Sequence, residues 1–140
     1  MVAAQQDIGQ GVRRGEEINK GSEMIDELNA PKAFLSWEES AEILRTDASH
    51  GIARAQRLLA IRYLRGRGVP KDEAIAFSWM QLAAQQHFAM AQRSLGELYE
   101  YGSGIAPDIS QASHWYQLAA LQGDFTANEH LQRLAQAKTA

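Results

Sequence analysis

The chain has 140 residues, of which 45% are hydrophobic and 22% charged, with no cysteine and a formal net charge of -3. That is the size and polarity of one folded domain. It has no run of about 18 apolar residues to cross a membrane, and its acidic balance argues against wholesale nucleic-acid binding. Without cysteine there is no disulfide framework, no thiolate zinc site and no cysteine nucleophile.

From the N-terminus, residues 1–22 place Gly9, Gly11, Gly15 and Gly21 among mostly polar neighbours, the composition of a flexible tail. Its start, MVAAQQDIGQG, lacks the basic and apolar stretches of a secretion signal. As written the chain is expected in the cytoplasm, or in the periplasm if a leader has been removed. Residues 23–30, EMIDELNA, read as a short helix ended before Pro31. The segment SWEESAEILRTDAS reads as a second helix opened by a capping box of Ser36 and Glu39, and it closes at Gly51. These pieces, 23–52, form a divergent helical pair in which Phe34 and Leu35 are expected in the core.

The next 72 residues contain a repeat. Shifting the sequence by 36 superposes fifteen residues between Ala55 and Gln86 on identical ones, among them Gln56 and Gln92, Gly68 and Gly104, Asp72 and Asp108, Trp79 and Trp115, Ala84 and Ala120. A period of this length means stacked supersecondary units. In each unit Ala55, Leu59, Arg62 and Tyr63, or Ala91, Leu95, Leu98 and Tyr99, recur at i, i+4, i+7 and i+8, one face of an α-helix with Arg62 the polar exception. The paired glycines provide a sharp exit, with Val69 or Ile105 tucked beneath it and Pro70 or Pro107 stiffening it. Asp72 and Asp108 then cap a second helix, on which Ala76, Trp79 and Ala83 share a side, so that helices approach closely and an indole fills the space between layers.

Gly123 ends the second copy with a left-handed cap, whereas His87 stands at that place in the first, which predicts a distorted junction there. After repeats at 53–88 and 89–124, Ala127, Leu131 and Leu134 keep the first-helix phase, so 125–138 reads as a capping helix with a polar outer face.

The pattern A-Q-x-x-L-x-x-x-Y-x-x-G-x-G-V/I-x-x-D-x-x-x-A-x-x-W-x-x-L-A-A-x-Q resembles the Sel1-like repeat, a relative of the tetratricopeptide repeat. The resemblance implies an all-α fold, a right-handed α-solenoid of antiparallel helix pairs with the first helices lining its concave side. It further implies an adaptor or scaffold for protein–protein interaction rather than an enzyme. On that geometry the concave wall carries Arg54, Arg57, Ile61, Leu64 and Arg65 in one layer, and Met90, Arg93, Glu97, Glu100 and Tyr101 in the next. Thr126, Glu129 and Arg133 belong to the cap.

Such a wall suits an acidic or amphipathic peptide, since residues 53–90 carry six basic and two acidic side chains while residues 1–52 carry ten acids and five bases. The acidic stretch with Glu16, Glu17, Glu23, Asp26 and Glu27 is a candidate to fold back on it. The expected partner is another protein, with no nucleic acid and no membrane insertion, the chain itself being a monomer or weak homodimer. Met24, Ile25 and Leu28 would form the self-contact of a purely structural reading.

No cofactor or metal is expected. The glycine pairs lack a preceding strand and a third glycine, so they do not form a phosphate loop. His50, His87, His114 and His130 show no ligand spacing with one another. Glu97 and Glu100 project from adjacent faces of one helix rather than converging. The alternative that the resemblance leaves is a hydrolytic enzyme of the β-lactamase-like Sel1 type, although those hydrolases resemble disulfide-rich chains, from which this cysteine-free chain departs.

Overall fold

A computed structural model describes residues 35–139, and among them all regular structure is helical. The helices are α1 (Trp37–Ser49), α2 (Ala53–Arg65), α3 (Glu73–Gln85), α4 (Ala89–Tyr101), α5 (Ile109–Leu121) and α6 (Phe125–Thr139). The expected tail at 1–22, the helix at 23–30, the acidic fold-back, Met24, Ile25, Leu28 and Phe34 lie outside the described residues. Each helix packs on the next, and α2 also touches α4, so the chain is an α-solenoid in which first helices stand side by side.

Helices of 13 residues are marginal alone, so what holds these is stacking. The largest fully buried side chains among the described residues are Leu59, Met80, Leu95, Gln92 and Tyr116, embedded among buried alanines at 60, 76, 83, 84, 91, 112 and 119. Burying one leucine or methionine contributes about 1.5–3 kcal/mol, and the alanines let helix axes approach closely enough for those side chains to meet. Trp79 bridges two apolar clusters, packing against both the Ala48, Ala55 and Leu59 group and the group containing Met80 and Leu95. The indole between layers is therefore observed.

The predicted caps form. Ser36 Oγ accepts from the Glu39 backbone N–H at 3.1 Å while Glu39 accepts from the Ser36 N–H at 2.9 Å. Asp72 and Asp108 each accept, at 3.0 Å, from the N–H three residues on. Two expectations fail. Leu35 is 47% exposed rather than core, and Ile105 is 38% exposed whereas Val69 is buried, so only the first turn has an apolar plug. Arg62, the polar exception on its face, donates from Nη1 to the Trp37 carbonyl at 3.2 Å, with its guanidinium 4.6 Å from the Trp37 ring centroid. It clamps α2 to the start of α1, a contact that Leu98 in the next layer replaces by burial.

The glycine turns are also interlayer contacts. Gly104 has φ +75°, and a Cβ there would collide with the carbonyl of Glu73 at the start of α3. Gly68, φ +78°, stands in the same relation to Trp37 at the start of α1. The loop leaving each first helix thus rests on the N-terminus of the second helix one unit earlier.

The His87 junction keeps the left-handed turn but is looser: the Asp124 N–H donates to the Ala119 carbonyl at 3.1 Å after Gly123, and no equivalent bond joins Phe88 to Ala83. His87 adopts φ +62° where Gly123 has +93°, and its N–H donates to the Ala84 carbonyl at 3.1 Å as that of Gly123 does to Ala120 at 2.9 Å. The strain of the left-handed conformation falls on the backbone of this one exposed residue. His87→Gly is therefore expected to stabilise the protein by about 0.5–1 kcal/mol, the relief of left-handed strain outweighing the entropy that glycine adds to the unfolded chain. The urea midpoint checks this; a decrease would mean that the imidazole itself contributes to the fold.

The repeated glutamines are structural. Gln56 Nε2 donates to the Ala48 carbonyl at 3.1 Å and Gln92 Nε2 to that of Ala84 at 3.4 Å, reaching back to the end of the preceding second helix. Their Oε1 atoms accept at 2.8 Å from Gln86 and Gln122 respectively. Each pair ties a first helix to the end of the preceding second helix, whose carbonyl also accepts a backbone N–H, from Gly51 at Ala48 and from His87 at Ala84.

Candidate functional site

The groove between α2 and α4 holds a shallow cavity of about 200 Å³. Six of the expected wall residues line it: Arg57, Ile61, Leu64 and Arg65 from α2, and Arg93 and Glu97 from α4. Buried Met80 closes the floor. Arg54, Met90 and Tyr101, also expected on the wall, are exposed and stand away from this cavity.

The two arginines of the repeat differ in their partners. Arg93 Nε donates to both carboxylate oxygens of Asp124 at 3.1 Å, and Arg93 Nη1 lies 3.4 Å from Glu97. Asp124 is also the cap of α6, accepting from the Ala127 N–H at 2.9 Å. It is the residue that the sequence reading missed: its counterpart in the preceding unit is Phe88, and that break in the repeat was the available signal.

Arg57 therefore has no carboxylate in the corresponding place. Its Nε is 3.4 Å from Ser94 Oγ, and no carboxylate lies within ion-pair distance among the described residues. Burial, and then the charge of Arg93, lower the pKa of its guanidinium from the ordinary value, with Glu97 and Asp124 offsetting part of this. A partly desolvated cation beside another cation is the environment that an incoming carboxylate relieves.

Glu100 and Arg133, expected on the wall, are committed elsewhere. Glu100 accepts from the Tyr116 hydroxyl at 2.7 Å and pairs with Arg133 Nη2 at 2.6 Å. This bond raises the pKa of Arg133. His130 stacks on the Tyr116 ring at 4.8 Å, its Nε2 3.5 Å from Glu97 and its Nδ1 3.0 Å from Arg133. Thr126 and Glu129 are exposed on α6. The cap end of the first-helix face is thus closed by the protein's own polar network, and the open part is the layer around Arg57.

Among the described residues no three histidine, aspartate or glutamate side chains gather to hold a metal ion, and no helix is long and apolar enough to cross a membrane.

Comparison with known proteins agrees with this geometry. The family model described as Sel1 repeat matches residues 53–88 and again 89–124. The crystal structure of a Sel1 repeat protein from Oxalobacter formigenes is similar, with 45% sequence identity and a TM-score of 0.65, covering 68% of this chain and 71% of that one. A second similar structure is c5321, a protective antigen present in uropathogenic Escherichia coli strains displaying an SLR fold. It has 30% identity and a TM-score of 0.65 over 74% of this chain, which spans only 21% of that protein. No curated protein matches. Proteins built from Sel1 repeats act generally in protein–protein interaction, typically as scaffolds without enzymatic activity. With two matched repeats over slightly more than half its length and a solved relative of this similarity, the chain belongs to the Sel1 repeat family.

Proposed function

We propose that this protein is an adaptor that holds an acidic, extended segment of another protein in the groove between α2 and α4. The observation that carries this reading is the contrast between Arg57 and Arg93. Both occupy the same position of the repeat, but Arg93 is neutralised by Asp124 whereas among the described residues Arg57 has only a hydroxyl beside it. A carboxylate from a partner would complete in the first layer the pair that the chain completes itself in the second. Ile61 and Leu64 give that segment apolar contact next to the charge, the mixture of anchors that concentrates binding energy in small interfaces.

A random peptide library displayed on phage and panned against the whole protein tests this reading. Enriched sequences should carry aspartate or glutamate beside an aliphatic residue. Their affinity should fall at least about tenfold for Arg57→Glu, and should weaken as salt is raised. Peptides that bind wild type and Arg57→Glu equally well would remove the groove from consideration.

A further inference from the structure

Each unit of this stack builds a seat for an indole, and among the described residues the last seat is open. Trp79 packs against the cluster of Ala48, Ala55 and Leu59. One repeat later, Trp115 packs against the cluster that contains Ala84, Ala91 and Leu95. A further shift of 36 leads to Ala120, Ala127 and Leu131, the same three residue types. Ala84 and Leu95 are covered to 1% and 0% exposure, whereas Ala120 and Leu131 are both partly open to solvent. They line a cavity of about 450 Å³ between α5 and α6, walled also by Gln117, Asn128 and Leu121, the last 84% exposed.

We propose that this cavity is a docking site for a tryptophan carried on an α-helix of a partner protein. The two filled seats define the occupant. In both, the tryptophan stands on a helix with alanine three residues before it and four after, Ala76 and Ala83 around Trp79, Ala112 and Ala119 around Trp115. Those alanines are fully buried, because the helix backbone must come close for the indole to reach its seat.

Gln117 and Asn128 add polar groups that an indole N–H can use. On α6, Gln132 and Gln136 replace Ala60 and Leu64 of α2, and both are exposed. A second copy of the chain fits less well: on α1, the second-type helix at its other end, the tryptophan position holds Ile43.

The test uses the whole protein and a fluorescent peptide of residues 105–124, held helical by a lactam bridge between positions 110 and 114, which face solvent in the parent helix. Anisotropy should show saturable binding, with NMR shifts centred on the methyl groups of Ala120 and Leu131. The peptide carrying Trp115→Ala should bind at least about tenfold more weakly. Leu131→Gln should weaken binding similarly, and Leu121→Lys, at a site too exposed to disturb the core, should also weaken it. Arg57→Glu should leave it unchanged, which separates this site from the acidic groove.

Equal binding by the Trp115→Ala peptide, or shifts located elsewhere, would overturn the proposal. So would concentration-dependent sedimentation that Leu121→Lys abolishes and the peptide fails to compete with, since the occupant would then be a second copy.

Discussion

Gly104→Ala is expected to destabilise the protein by about 2–5 kcal/mol, one of the two largest losses predicted for a single substitution in this chain. Two costs combine. The residue sits at φ +75°, where a Cβ costs about 1–2 kcal/mol, and that Cβ would also meet the backbone carbonyl of Glu73, which has no rotamer to escape into. Relieving the second clash means separating the loop from the start of α3, an overpacking penalty of about 1–3 kcal/mol. Gly123→Ala is the internal control, because Gly123 has φ +93° but open space around its Cβ position. It should lose only the conformational part, about 1–2 kcal/mol. Urea unfolding of the two variants separates the terms, and equal losses would show that the turn is not an interlayer contact. Near the midpoint Gly104→Ala should also broaden the transition, since in a stacked array weakening one interface uncouples its neighbours.

That contact shows how far the sequence could be read and where it stopped. Paired glycines 36 residues apart announce a turn, because positive φ is a local requirement visible in residue type. Why the second glycine of each pair must be glycine is not local: the obstacle is a carbonyl some 31 residues earlier in the chain, at Glu73 for Gly104 and at Trp37 for Gly68. The glutamine pairs behave in the same way. Their recurrence is plain, but the partner atoms are main-chain carbonyls at Ala48 and Ala84, which carry no signature in sequence.

Caps, helix faces and the tryptophan layer were legible because each depends on spacing within one unit. The wall was legible only in part. Arg57 and Arg93 look identical in the repeat, and what divides them is Asp124, a residue from the following turn whose carboxylate reaches back 31 positions. His87 is a mixed case: its neighbours impose the left-handed conformation, but the junction forms one backbone bond fewer than the one at Gly123, as its local preference predicted.

Tyr116 is the second position where a large effect is expected, and three variants divide its contribution. The side chain is fully buried, its hydroxyl donates to Glu100 at 2.7 Å, and its ring fills the space beside Gly96. Tyr116→Ala should cost about 3–5 kcal/mol, the usual range for emptying an aromatic from a core. Tyr116→Phe keeps the ring and loses a hydrogen bond to a charged acceptor, about 1.5–3 kcal/mol, with Glu100 still held by Arg133 at 2.6 Å. The first repeat pairs Ala60 with Met80 where the second pairs Gly96 with Tyr116. Gly96→Ala alone should therefore be destabilising, and adding Tyr116→Met should recover part of that loss, a coupling of about 1–3 kcal/mol.

Proton linkage gives an independent reading of the same group. Burial first, and then the bond to Glu100, push the phenol well above its ordinary value of 10.0, so the folded protein keeps this proton after the unfolded chain has released it. The stabilisation from this site is fully present below about pH 10 and is lost as pH rises beyond it. The stability difference between wild type and Tyr116→Phe, measured by urea unfolding, should thus be constant from neutral pH to about pH 9 and shrink above pH 10. A difference that stayed constant through that range would mean that the hydroxyl is solvated and that Glu100 is held by Arg133 alone.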